Sequence, residues 1–214
     1  ATAASPRFPA HAIQVVPTTD RAAVPALLAL TPLVDLCMPR GGEGLIRAVA
    51  ECSKVPVIKH YKGVCHVYLD GDADPDMAQA IAVNAKVQRP GVCNAMETLL
   101  IDRRAAKDLV LRVAKDLLAR GVELRVDEES RRLLAPIADA NTKIQPASDA
   151  DWETEYLDLT LAVRVVDGVR GAIDHINRFG SGHSDSIVTA NETAAREFLR
   201  DVDSAAVYWN ASTR

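Results

Sequence analysis

The feature that most constrains the fold is the regular alternation of short apolar runs with longer stretches of helical periodicity. Short runs rich in Val, Ile and Leu predict buried strands, and apolar residues spaced three or four positions apart predict helices. Strands that alternate with helices pair in parallel through right-handed crossovers. The sequence therefore predicts an α/β fold with a mostly parallel sheet and flanking helices. The predicted strands lie at residues 13–16, 34–38, 55–59, 64–69, 98–101, 122–126, 159–166, 186–189 and 205–209.

Local patterns describe the segments between these strands. In the helix predicted at residues 72–88, Met77, Ile81 and Ala85 form the expected buried face. The stretch at residues 141–151 is polar and lacks the periodicity of a packed element, so it predicts a surface excursion.

A break in the helical pattern places a cysteine between a helix and a strand. Residues 89–101 read R-P-G-V-C-N-A-M-E-T-L-L-I. Pro90 cannot continue a helix, and Gly91 permits a backbone turn that other residues resist. Cys93 therefore lies on a short connection between rigid elements, where a nucleophile is both fixed and reachable. A small buried side chain is the other interpretation of a free cysteine, and the spacing alone leaves both open.

Composition excludes several classes of function. A net charge of -4 gives no electrostatic basis for binding nucleic acid or an anionic membrane, and 4% aromatic residues argue against a base-stacking surface. The four cysteines show neither CxxC spacing nor a zinc-site pattern, so no metal site is predicted. We expect Cys37, Cys52 and Cys65 to be structural, reduced and mostly buried. With no apolar run of transmembrane length and no signal peptide pattern, the sequence predicts a cytoplasmic protein.

Four longer blocks carry a resemblance to a known family. They are V-P-V-I-K-H-Y-K-G-V-C-H-V-Y-L-D at 55–70, N-A-K-V-Q-R-P-G-V-C-N-A-M-E-T-L-L at 84–100, A-I-D-H-I-N-R-F-G-S-G-H-S-D-S-I-V-T at 172–189, and W-N-A-S-T-R at 209–214. Together they resemble the gamma-glutamyl phosphate reductase family of the aldehyde dehydrogenase superfamily, from about residue 14 onward. The resemblance implies an aldehyde-dehydrogenase-like α/β fold.

The resemblance also implies a fragment, because members of that family are much longer. Residues 1–60 are expected to be the C-terminal part of the cofactor-binding domain, and residues 61–207 the catalytic domain. Residues 208–214 are expected to begin a truncated C-terminal oligomerisation segment. The full-length protein is accordingly expected to form a homo-oligomer.

The activity implied by the resemblance is the second step of proline biosynthesis. L-Glutamate 5-phosphate is reduced to L-glutamate 5-semialdehyde and phosphate with NADPH as the cofactor. Cys93 corresponds to the family's nucleophile, which forms a thioester with the substrate. Backbone N–H groups near Cys93, together with the Asn94 side chain, are the candidates to hold the tetrahedral oxyanion.

Other residues are assigned through the same resemblance. Arg89 and Arg214 are candidates to bind the carboxylate or phosphate of the substrate. Ser181 and His183 are candidate substrate contacts, with loop-capping hydrogen bonds as the alternative. Glu155 corresponds to the glutamate that holds the cofactor ribose, with a solvated carboxylate as the alternative. Ordinary aldehyde dehydrogenases carry a glutamate base in a segment that aligns with residues 58–63, where this chain has no carboxylate.

Two alternative functions stay open at this stage. One is another acylating, cysteine-dependent aldehyde dehydrogenase with a different acyl donor, which the F-G-S-G-H-S-D block argues against. The other is a non-catalytic α/β interaction module with Cys93 buried. The resemblance further implies contact with glutamate 5-kinase, which makes the labile acyl phosphate.

Overall fold

The computed structural model describes residue 9, residues 11–139 and residues 141–214. Residues 1–8 and residue 10 of the predicted 1–60 domain segment lie outside the described residues. The chain divides into two compact units, one ending at Tyr61 and the other running from Lys62 to Arg214. No helix in the described part of the chain is both long and apolar enough to cross a bilayer.

The first unit contains two helices and much less sheet than the sequence predicts. Helix α1 spans Ala23–Leu28 and helix α2 spans Glu43–Cys52. The strands predicted at 34–38 and 55–59 are reduced to one parallel bridge between Cys37 and Val57. The strand predicted at 13–16 is wrong, because that segment is irregular and exposed. An apolar run becomes a strand only where a neighbouring strand accepts and donates its backbone hydrogen bonds.

The second unit contains a parallel sheet with helices on both faces. The sheet order is β4-β3-β5-β2-β1-β6-β7, and every neighbouring pair is parallel. The predicted α/β class with a mostly parallel sheet is therefore confirmed. The strands are β1 Cys65–Leu69, β2 Met96–Asp102, β3 Glu123–Val126, β4 Ile144–Pro146, β5 Thr160–Val166, β6 Ser184–Val188 and β7 Ala206–Trp209. The helices are α3 Pro75–Val87, α4 Ala106–Ala119, α5 Glu128–Leu134, α6 Gly168–Phe179 and α7 Glu192–Asp201.

Alternate residues of the central strands point to opposite faces of the sheet. Val67 of β1 and Leu99 of β2 join the core beneath α3, α4 and α5. Tyr68 of β1 and Leu100 of β2 join the core beneath α6 and α7. Both faces of the central strands are covered, so these strands read as continuous apolar runs.

Two local predictions need correction. Met77 is 40% exposed, because the buried stripe of α3 lies one position further along and begins at Ala78. Ile81 and Ala85 are buried as predicted. The segment at 141–151 is more than a surface excursion, since it supplies β4, a short edge strand that pairs with β3. Three residues ending in proline carry too little pattern to be recognised as a strand.

The carboxyl edge of the sheet, where the strands end, carries a polar network. Tyr68 donates to Asp70 at 2.9 Å and to Asp102 at 3.2 Å. Asp70 also accepts from the Thr189 hydroxyl at 2.9 Å, and Arg104 donates to Asp102. The connections from β1 and β6 leave in opposite directions here, so this edge is the topological switch point of the sheet. Its polar groups are occupied with one another.

Candidate active site

The cysteine predicted as a nucleophile lies at the opposite, amino edge of the sheet. The Cys93 turn, defined as residues 88–95, joins α3 to β2. Cys93 is exposed, so it lacks the burial that the interaction-module alternative requires. Gly91 is not among the glycines with positive φ, and a Cβ there would meet only the carbonyl oxygen of Leu157 at 3.6 Å. The turn therefore does not depend on the conformational freedom of Gly91.

The segment before β1 packs directly against the Cys93 backbone. A Cβ placed on Gly63 would overlap the carbonyl oxygen of Cys93 and stand 2.9 Å from its Cα. The Gly63 N–H donates to Oε1 of Glu155 at 2.8 Å, and the Cys65 thiol donates to the Cys93 carbonyl at 3.2 Å. Gly63 thus brings the Cys93 turn and the half-buried Glu155 carboxylate to the same place.

The remaining cysteines differ in exposure. Cys65 is fully buried, and burial, followed by the nearby charge of Asp185, raises the pKa of its thiol. Cys37 is half-buried, whereas Cys52 is exposed. The expectation of a buried Cys52 is wrong, because the residue is the last of α2 and is exposed, whereas Ile46 and Val49 of the same helix are buried.

Asn94 and Arg214 are brought together by residues 210–214, here called the return segment. This segment follows β7 and runs back along β6 from the carboxyl edge, where Asn210 accepts from the Thr189 N–H, to the amino edge. Asn94 Nδ2 donates to the Thr213 carbonyl at 2.9 Å, and the Arg214 guanidinium donates to Asn94 Oδ1. One amide hydrogen of the proposed oxyanion donor is therefore committed to the return segment.

Arg89, the other predicted cation, is exposed on the Cys93 turn itself. Arg214 also donates to Gln88 of the same turn at 3.2 Å. Both arginines therefore lie at the amino edge with Cys93, although they are distant in sequence.

The F-G-S-G-H-S-D loop is anchored next to β1. The Ser181 hydroxyl accepts from the Val64 N–H at 2.9 Å, and His183 Nδ1 lies 2.8 Å from the Ser184 hydroxyl. Further on, Asp185 forms a buried pair with His66 at 2.9 Å. For Ser181 the structure shows the loop-fixing bond that the sequence analysis left as an alternative. His66 carried no recognisable signal, since its partner lies 119 positions away.

A second buried pair adjoins the Cys93 turn. Lys86 and Glu97 are both fully buried, with Nζ and Oε2 2.6 Å apart. Burial raises the pKa of Glu97 to about 7, an effect that Lys86 opposes. Burial likewise lowers the pKa of Lys86, an effect that Glu97 opposes. The sequence analysis missed this pair. Its signal in the sequence is a lysine and a glutamate at positions where the pattern of a buried helix face and a buried strand calls for apolar residues.

The described residues contain no group of three or more metal-ligating side chains. The chemistry available at the amino edge is therefore that of a reachable thiol, a carboxylate, and amide and guanidinium donors. Such a set suits acyl transfer to sulfur, with Cys93 as the one nucleophile exposed within it.

Comparison with known proteins gives close matches. No family model matches the chain. It is 54% identical over 208 residues to a gamma-glutamyl phosphate reductase of Sulfurihydrogenibium sp. (strain YO3AOP1). The matched region covers 97% of this chain and 47% of that protein. The crystal structure of gamma-glutamyl phosphate reductase from Thermotoga maritima matches with a TM-score of 0.86 at 42% identity, covering 93% of this chain and 46% of that one. The resemblance recognised from the sequence is confirmed, and the chain spans about half the length of the curated relatives it matches.

More distant structures share the fold alone. An acetylating aldehyde dehydrogenase from Geobacillus thermoglucosidasius matches with a TM-score of 0.67 at 18% identity, covering 91% of this chain and 50% of that one. An NADP-dependent glyceraldehyde-3-phosphate dehydrogenase from Bacillus halodurans C-125, complexed with NADP, matches with a TM-score of 0.71 at 19% identity, covering 92% and 48%. The predicted aldehyde-dehydrogenase-like fold is therefore confirmed.

Proposed function

Because this chain is homologous, over 97% of its own length, to about half of a gamma-glutamyl phosphate reductase, we propose that it carries the catalytic portion of that enzyme. The reaction is the NADPH-dependent reduction of L-glutamate 5-phosphate to L-glutamate 5-semialdehyde and phosphate. The observation that supports this most directly is the exposed Cys93 on a turn fixed against Gly63 and, through it, Glu155. The assignment of residues 61–207 as the catalytic domain, of 1–60 as part of a cofactor domain and of 208–214 as the start of an oligomerising segment belongs to the same proposal.

In this mechanism Cys93 is the nucleophile. Its thiolate attacks the acyl carbon of the substrate, the carbon–oxygen bond to the phosphoryl group breaks, and phosphate leaves with the electron pair. The product on the enzyme is a γ-glutamyl thioester. After reduction of the acyl carbon, the carbon–sulfur bond breaks, Cys93 leaves as thiolate, and the aldehyde is released. The thioester keeps the acyl group bound to the enzyme and accepts hydride more readily than a carboxylate would.

The oxyanion formed at each tetrahedral stage requires hydrogen-bond donors. We assign this role to backbone N–H groups of the Cys93 turn and to the second amide hydrogen of Asn94. Because Asn94 is held by Thr213 and Arg214, its amide is already oriented before substrate arrives. One such fixed donor is typically worth about 3 kcal/mol of the barrier.

Glu155 fits the role of a ribose-binding carboxylate. Its Oε1 is occupied by the Gly63 N–H, which fixes the side chain, while Oε2 makes no hydrogen bond among the described residues. That oxygen is suited to accept from ribose hydroxyl groups. NADPH, when bound, supplies the hydride that reduces the thioester. The absence of a carboxylate at 58–63 suits this reaction, because the glutamate that directs water onto the thioester in ordinary aldehyde dehydrogenases has no counterpart there.

Substrate selectivity is assigned to the two arginines. Arg89 and Arg214 carry the positive charge that the phosphate and the α-carboxylate of the substrate require. We assign Ser181 to positioning the loop through Val64 and keep His183 as a candidate contact of the α-amino acid group. The full-length protein is proposed to be cytoplasmic and homo-oligomeric, and to receive its labile substrate from glutamate 5-kinase.

Acylation of Cys93 tests the proposal on this chain directly. We expect incubation with L-glutamate 5-phosphate, generated in place by glutamate 5-kinase and ATP, to add one γ-glutamyl group to the Cys93 peptide, as measured by mass spectrometry. Cys93→Ser should abolish the adduct, and Cys52→Ser is the matched control because Cys52 is also exposed. Equal acylation of Cys52, or none at Cys93, would contradict the covalent mechanism.

Activity of the complete enzyme separates the remaining alternatives. When the chain is joined to the segments that its relatives carry, we expect phosphate-dependent reduction of NADP with glutamate 5-semialdehyde, lost in Cys93→Ala. Faster turnover with a coenzyme A thioester than with the acyl phosphate would instead identify another acylating aldehyde dehydrogenase.

A further inference from the structure

The buried pair formed by Lys86 and Glu97 brackets the Cys93 turn. Lys86 lies in the last turn of α3, Glu97 is the second residue of β2, and the turn at 88–95 is the chain between them. Both side chains are fully buried, with the ammonium and carboxylate 2.6 Å apart. The pair therefore joins the helix end to the strand beginning across the base of the turn.

The same pair reaches the segment that carries Glu155. Glu97 uses its second oxygen, Oε1, to accept from the N–H of Leu157 at 3.2 Å. The Lys86 ammonium lies 5.8 Å from the centre of the Tyr156 ring, within range of a cation–π contact. Leu157 has a φ of 55°, a left-handed conformation that a leucine keeps only where its surroundings hold it.

These contacts close a ring of interactions around the site. From Glu97 the ring passes to Leu157, along the backbone to Glu155, from its carboxylate to the Gly63 N–H, and from Gly63 to the Cys93 carbonyl. We expect displacement of one member to shift the next, since the contacts are made by backbone groups and by buried or half-buried side chains.

We propose that Lys86 and Glu97 are positioning residues that set the Cys93 turn and the Glu155 segment in one fixed relation. A buried ion pair is seldom retained for stability alone, because apolar residues of similar volume usually stabilise a core as well or better. An apolar pair has no hydrogen-bond acceptor for the N–H of Leu157, whose backbone is strained. Glu97 supplies that acceptor, and the charge of Lys86 fixes its position. The positioning role rests on the proposed function, in which Cys93 and Glu155 act on the same bound substrate and cofactor.

Two double variants of this chain test the proposal without leaving a lone buried charge. Lys86→Met with Glu97→Met removes the pair and the acceptor for Leu157. Lys86→Met with Glu97→Gln removes the charges but keeps that acceptor. The readouts are hydrogen exchange at the Gly63 amide, which touches neither substituted residue, and the ratio of alkylation rates of Cys93 and Cys52. Urea unfolding identifies the variants that remain folded.

In the Met/Met variant we expect the Gly63 amide to exchange at least about tenfold faster, as for loss of one hydrogen bond. The alkylation ratio should fall towards one as the turn loosens. The Met/Gln variant should lie between this variant and the unsubstituted chain. Tyr68→Phe is the control, since it removes buried hydrogen bonds at the carboxyl edge and should leave both readouts unchanged.

The proposal would be overturned by a folded Met/Met variant in which the Gly63 exchange rate and the alkylation ratio both stay within twofold of the unsubstituted chain. A Met/Gln variant identical to the unsubstituted chain would overturn the role of the pair as well. Failure of the proposed function looks different: Cys93 would then alkylate no faster than Cys52 before any substitution, while Gly63 exchange would still report the coupling.

Discussion

Gly63 shows how a residue without a side chain can decide the geometry of a site. The Cys93 carbonyl occupies the space that a Cβ on residue 63 would need, and the Gly63 N–H donates to Glu155. The sequence did not indicate Gly63 as a site residue, because glycine has no side chain that could act chemically. The sequence could place Cys93 on a turn, but not the second backbone that presses against it.

Substitution of Gly63 by alanine is therefore expected to displace the Cys93 turn. The overlap is with backbone atoms, which cannot rotate away as a flexible side chain can. We expect acylation of Cys93 by the acyl phosphate to fall by about 100-fold, the typical cost of misplacing a reacting group by about an ångström. The measurement is the acylation rate, by mass spectrometry.

Gly44→Ala is the matched control, because a Cβ there would meet nothing within 4 Å. An unchanged acylation rate in Gly63→Ala would mean that the turn yields without affecting the thiol. Loss of the cooperative urea transition would instead mark a folding defect, so both quantities are measured on the same samples.

At the scale of elements, α6 packs a histidine against β1 and the sheet. His175 is 4% exposed, and its ring lies 5.4 Å from that of His66 on β1. Burial lowers the pKa of His175 to about 2, with further contributions from the neighbouring His66, Arg164 and Arg178 side chains. The folded chain therefore keeps this histidine neutral.

Acid should therefore destabilise the chain through His175. Below its ordinary pKa of 6.5 the unfolded chain binds a proton that the folded chain excludes. The free energy of unfolding should thus fall by about 1.4 kcal/mol for each pH unit below that value, on account of this group. The contribution is fully present above pH 6.5 and is lost as the pH falls.

Urea unfolding measured from neutral pH downward checks this, with His175→Phe expected to reduce the pH slope by the equivalent of one proton. His11→Gln, at an exposed position, is the control for removing a histidine. An identical slope in His175→Phe and the unsubstituted chain would show that another group binds the proton.

Strands with cores on both faces are among the elements that the sequence predicted correctly. β1, β2 and β5 are buried along most of their length, so their apolar runs were unambiguous. The run at 13–16 was equally apolar, but the described residues offer it no strand to pair with. The pair of Lys86 and Glu97 was not predicted, because a single charged residue does not change the apolar periodicity of a segment. Only the fold shows that the two side chains are in contact.

At the scale of the whole molecule, the two compact units differ greatly in the core that each contains. The core of the first unit is built around Leu28, Val49 and Val55. Both large clusters of the sheet lie within Lys62–Arg214. A segment of about 60 residues is marginal on its own even with a good core.

The segment Lys62–Arg214 is accordingly expected to fold alone, with a single cooperative transition in urea followed by circular dichroism. Residues 1–61 alone should show no such transition. A cooperative transition in the short segment, or none in the long one, would place the boundary elsewhere. The same experiment tests the predicted domain division near residue 60.

The amino and carboxyl edges of the sheet carry different sets of polar groups. At the carboxyl edge, where ligands usually bind in open parallel sheets, Tyr68, Asp70, Asp102 and Thr189 are joined in one hydrogen-bond network. The predicted chemistry lies instead in the connections that precede the strands. New acyl specificities could thus be sought by randomising exposed positions of those connections, such as Arg89, because these substitutions leave the hydrogen-bond network of the opposite edge unchanged.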